Sequence, residues 1–95
     1  MARIFINYRL VLIEWLDSHH SSGWTRDPVE TEPMRCRSVG WLQHDGMEAK
    51  TIVSHLTDDA DPEHNSEMTI PTFAVVSIKD LLVALPETNS RGIKK

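Results

Sequence analysis

Apolar residues fall into short alternating runs separated by polar stretches, a pattern that predicts strands. Residues 8–17 (YRLVLIEWLD) are dense in Leu, Val, Ile and Trp, with no breaker inside. Alternation puts Val11, Ile13 and Trp15 on one face and Leu10, Leu12, Glu14 and Leu16 on the other. The β-branched and aromatic content favours a strand over a helix. Residues 18–23 (SHHSSG) read as a loop ending in a glycine stop before Trp24. Residues 25–33 are acidic and twice interrupted by proline, which predicts an extended connection with one helical turn starting near Asp27-Pro28.

Residues 35–43 (RCRSVGWLQ) alternate again, with Arg35, Arg37, Val39 and Trp41 on one side and Cys36, Ser38, Gly40 and Leu42 on the other. The turn His44-Asp45-Gly46 carries an Asp-Gly signal, and residues 49–56 (AKTIVSHL) follow as the return strand of a hairpin. Residues 57–67 (TDDADPEHNSE) read as a polar loop holding five acids and neither Lys nor Arg. Met68, Thr69 and Ile70 then lead to Pro71, which cannot donate to a ladder and so marks a corner. Residues 74–78 (AVVSI) make the last strand. The expected organisation is one domain over residues 8–84, a short extension over 1–7 and a flexible tail over 85–95. About five short strands predict an all-β fold, a small SH3-like or Sm-like barrel, because closure removes edges that a small domain cannot cover.

Composition narrows the chemistry. A chain of 95 residues holds one domain. Fourteen acids against ten bases give a net charge of −4, which argues against a general nucleic-acid binder. The single cysteine, Cys36, excludes an intrachain disulfide and any multi-cysteine metal site. No apolar run approaches the roughly 18–20 residues of a membrane span, and Met1 to Asn7 is too short for a signal peptide. The expected location is the cytoplasm.

Five histidines invite a metal, for instance through Asp17, His19 and His64. None shows zincin spacing, so structural roles are the expectation and no metal or cofactor is assigned. Asp58, Asp59, Asp61, Glu63 and Glu67 invite calcium, but the EF-hand glycine and twelfth-position glutamate are missing. A solvated loop is the plainer reading; the sharper one is a carboxylate cluster, led by Asp58, Asp59 and Asp61, that engages a basic partner. Cys36 shares its strand face with small residues and reads as packing rather than as a nucleophile. No nucleophile elbow or phosphate loop occurs, so the chain is expected to be no enzyme.

The aromatic residues leave two readings open. Trp15 is expected in the core, while Trp24 caps the fold or stands exposed. If the face of Arg35, Arg37, Val39 and Trp41 is exposed, arginines and tryptophan side by side suit a binding surface. If it is buried, Val39 and Trp41 are core and the arginines mark the rim, which is the blander and favoured assignment.

Glu14-Trp15, Gly23-Trp24, the segment Cys36-Arg37-Ser38-Val39-Gly40-Trp41-Leu42, and Ile70-Pro71 before Val76-Ser77-Ile78 stand together in order and spacing. In this the chain resembles a group of small uncharacterised proteins encoded by bacteriophages and prophages, over roughly residues 11–81. The resemblance implies an origin rather than a mechanism. The functional expectation is a non-catalytic accessory protein that binds a host or phage protein, for example to blunt a host defence. A domain this small is expected to gain its missing burial as a homo-oligomer. The alternative function is that of an Sm-like oligomer holding a small nucleotide or short RNA through Arg35 and Arg37, with Trp24 and Trp41 as further ligand contacts. A metal-dependent enzyme is the weaker alternative.

Overall fold

A computed structural model describes residues 8–82; the expected extension over 1–7 and tail over 85–95 lie outside the described residues. Five strands form one antiparallel sheet: β1 (Leu10–Asp17), β2 (Met34–Asp45), β3 (Ala49–Leu56), β4 (His64–Pro71) and β5 (Val75–Asp80). Their spatial order is β4-β3-β2-β1-β5, so β4 and β5 are the edges, and no ladder joins them. The fold is all-β, as the alternation predicts, and the hairpin across Asp45-Gly46 forms where its turn signal stands.

A short link forces the sheet to curl. Only the 3₁₀ turn Thr72–Ala74 separates β4 from β5. The outer strands of a flat five-stranded sheet lie four spacings, about 19 Å, apart. Four residues from Pro71 to Val75 reach at most about 14 Å. Thr72 anchors the link, its amide donating to the Glu48 carbonyl (2.9 Å) and its hydroxyl to the Gly46 carbonyl (3.2 Å).

β2 is the spine along which the curl happens. Its first half, Met34 to Trp41, pairs with β1, and its second half, Trp41 to Asp45, pairs with β3. The change of partner centres on Gly40 and Trp41. A methyl group on Gly40 would sit 2.8 Å from the Val53 carbonyl oxygen and 3.0 Å from Ile52 Cβ, so only glycine lets β3 cross this closely. An irregularity between Leu42 and His44 bends the strand further.

The concave face collects the core: Val11, Ile13, Leu42, Ile52 and Ile70, with Trp15, Ala74, Val75 and Ile78 packed against it. The predicted faces of β1 hold. For β2 the favoured assignment is corrected: Cys36, Ser38, Gly40 and Leu42 face inward, and Val39 is 54% exposed on the outside. The period of two fixes which residues share a face, but hydrophobicity misleads about which face is buried, because the inward side is built from small residues at the bend. Two further corrections concern the loops. β4 begins at His64, so His64 to Glu67 belong to a strand although they read as loop, and His44 lies within β2 rather than in the turn. No helical turn forms near Asp27-Pro28; residues 18–33 run without regular structure.

Candidate functional site

Three regions carry chemistry. The first is the outer face of the β1–β2–β5 half. Cross-strand pairing sets Glu14 opposite Arg37 on one side and Ser77 on the other. The Glu14 carboxylate accepts from the Ser77 hydroxyl (2.7 Å) and the Arg37 Nε (3.3 Å), with Lys79 Nζ at 3.7 Å. The Ser77 hydrogen bond, then the charges of Lys79 and Arg37, hold the Glu14 carboxyl below the usual glutamate range. Arg35, two residues along the same face, is exposed and makes no ion pair among the described residues. Glu14, Trp15, Arg35, Cys36, Arg37 and Val76 line an open depression of about 350 Å³.

Trp41 and Trp24 do not join this depression. Trp41 is half-buried at the far end of the outer face, opposite Leu10 and Val53. Trp24 stands fully exposed in the connection between β1 and β2, together with Val29. Trp15, also half-buried, packs against the core, and its indole N–H donates to the Ser38 hydroxyl at 3.0 Å across the concave face. The Cys36 thiol, on that face too, points its weak donor at the Met34 carbonyl, 3.9 Å away.

The second region is the tip of the β3–β4 hairpin. Beyond Val53, β3 has β4 as its only neighbour among the described residues, so residues 54–56 and 64–66 part from β2 as a two-stranded projection. The turn is closed by two bonds, the Thr57 amide to the Glu63 carbonyl (2.9 Å) and the Glu63 amide to the Thr57 hydroxyl (2.7 Å). Asp58, Asp59, Asp61 and Glu63 are exposed on it. The structure thus brings the three aspartates together on a protrusion. Among the described residues no three His, Cys, Asp or Glu side chains converge to hold a metal ion, so Asp17, His19 and His64 do not assemble.

The third region is one that sequence reasoning missed. Where β2 leaves β3, a wedge of about 390 Å³ opens between them, lined by Ser38, Val39, Ile52, Ser54, Ser66 and Met68 along with Glu67. The Ser38 hydroxyl reaches the Met68 sulfur at 3.8 Å across it. Ser66, in the wall of this wedge, is the one non-glycine residue with positive φ (64°) among those described. A signal existed in the sequence: β2 is too long to pair with one partner throughout, and its glycine sits in the middle.

Family models, curated proteins and solved structures offer no match to this chain. No helix among the described residues is long and apolar enough to cross a membrane.

Proposed function

We propose that the chain is a non-catalytic accessory protein of a bacteriophage or prophage, which docks its acidic hairpin tip on a basic surface of a host or phage protein. The observation that carries this reading is the projecting turn with Asp58, Asp59, Asp61 and Glu63 exposed and no Lys or Arg among residues 57–63. Like charges on a protrusion are positioned to meet a partner before the rest of the surface does, which speeds encounter and selects against acidic partners. Blunting a host defence is one role such a surface suits. The sheet itself we infer to be an opened small barrel of the SH3-like or Sm-like kind. Strand order, the curl and the 3₁₀ turn between β4 and β5 support that assignment.

Immobilised protein passed through host extract tests the docking. The expected outcome is capture of a basic protein that is released by salt, because exposed charges are screened within about 8 Å at physiological ionic strength. Charge reversal at Asp58, Asp59 and Asp61 should abolish capture, and Arg35→Ala with Arg37→Ala should leave it. A nucleotide retained with no protein, and lost on Arg35→Ala with Arg37→Ala, would instead establish the alternative ligand at the two arginines.

A further inference from the structure

The wedge beside β2 and the long connection before it are both incomplete in a single chain. Among the described residues, the side of β2 away from β1 carries no ladder from Met34 to Gly40. Across the wedge, no described strand pairs with Ser54 to Leu56 of β3 on the facing side. An unpaired central strand is a template for another extended segment. Two arginines, Arg35 and Arg37, stand at alternate positions on its outer face, while the small residues Cys36 and Ser38 face inward. A segment added here would fit best with acids at alternate positions outward and compact side chains inward.

The chain contains such a segment. Val29-Glu30-Thr31-Glu32 lies just before β2, exposed and without regular structure, between Pro28 and Pro33. Val29 is 83% exposed, an apolar side chain left facing water. Its own β2 cannot receive it. Folding back would need a two-residue turn at Pro33-Met34, and such hairpin turns require positive φ at their first residue, which proline forbids.

We propose that this segment docks in the wedge of a second copy of the chain, and that the second copy's segment docks in return. In the antiparallel register Glu32 faces Arg35 and Glu30 faces Arg37, with Thr31 beside Cys36 and Val29 beside Ser38. Pro33 interrupts the alternation between segment and β2, which allows the acids to lie on the arginine face in both halves of the exchange. The exchange is reciprocal, so it closes as a two-fold dimer. The Glu30 carboxylate gives up only a long bond to the Glu32 amide (3.3 Å) on docking. This interface uses neither the acidic tip nor any residue assigned to the docking of a host or phage protein, and the two readings stand or fall separately.

Light scattering on the full chain tests it at about 100 µM, above the micromolar Kd of a weak interface. The expected mass is twice the 10.8 kDa of one chain. E30R with E32R should give a monomer, as should R35E with R37E, both retaining the far-ultraviolet spectrum of the native sheet. Mixing the two reversed proteins should restore a species of twice the chain mass, because both halves of the exchange then set opposite charges against each other. A monomeric wild type would overturn the proposal. A dimer indifferent to E30R with E32R would also overturn it, as would failure of the two folded variants to associate on mixing. If R35E with R37E fails to fold, for want of the Arg37 contact to Glu14, R35E alone against E32R supplies the same test.

Discussion

Gly40→Ala tests the bend on which the curled sheet depends. In a strand, replacing glycine by alanine ordinarily favours folding by about 0.5–1 kcal/mol, since glycine loses more conformational freedom. Here the added methyl meets the Val53 carbonyl oxygen at 2.8 Å and Ile52 Cβ at 3.0 Å. Neither atom lies at the end of a flexible side chain, so relief requires β2 and β3 to move apart. Overpacking of this kind costs about 1–3 kcal/mol. The displaced strands would also disturb Leu42 and Ile52, two of the five residues at the centre of the core. A net loss of about 2 kcal/mol is expected. With an m-value of about 1 kcal/mol/M, the urea midpoint should fall by about 2 M. The thermal midpoint should fall by roughly 8–16 °C in a domain of this size. The sign is what matters: an unchanged or raised midpoint would show that β3 does not cross at Gly40, and the account of the curl would fail with it.

Ile70→Ala, at the one buried position of β4, should cost about 2–5 kcal/mol in urea unfolding, because Ile70 ties the edge strand to the core. Trp15→Phe should cost about 1 kcal/mol by removing the indole donor to Ser38, and Ser38→Ala in that background should add less than it does alone. Acid should weaken the fold: Glu14 and Asp45 both titrate below their ordinary values, so the unfolded chain binds more protons as pH falls. Their stabilising effect is fully present above the ordinary carboxyl values of 4.5 and 3.8 and is lost as pH drops through the lower folded-state values, which melting curves between pH 7 and 2 would record. Ser77→Ala should raise the Glu14 titration midpoint in carboxyl NMR, since the serine hydroxyl is the largest cause of its depression.

Local alternation made β1, β2 and the β2–β3 hairpin legible from residue order alone, because each strand's period of two needs only its own side chains. The start of β4 was not legible. His64-Asn65-Ser66-Glu67 has no apolar residue, and its strand conformation comes from pairing with Leu56, His55 and Val53 rather than from its own content. The buried face of β2 was hidden for a related reason. Val39 and Trp41 are the larger residues, but the bend at Gly40 leaves the concave side room only for Cys36, Ser38 and Leu42. Among the site residues, the acidic run could be read directly, whereas its projection depends on β2 abandoning β3 after Val53. The Glu14 hub was signalled by a lone carboxylate in an apolar strand, but its partners Arg37, Ser77 and Lys79 lie 23 to 65 positions away and meet it only through the sheet.

The pairing of β1 with β5, the first and last strands of the chain, bears on the order in which the molecule can be made. β2, β3 and β4 follow one another through close reversals, and their pairing closes short loops. β1 is different, because the strand on its open side is β5, and Val11 waits for Asp80, 69 positions on. During synthesis, the meander can therefore form while Leu10, Leu12 and Ile13 still present an unfinished apolar edge. Closing so long a loop is entropically expensive and slow compared with the hairpins. The last ladder is thus also the slowest to form, and until it does, the nascent chain is most exposed to mispairing with its neighbours on the same messenger.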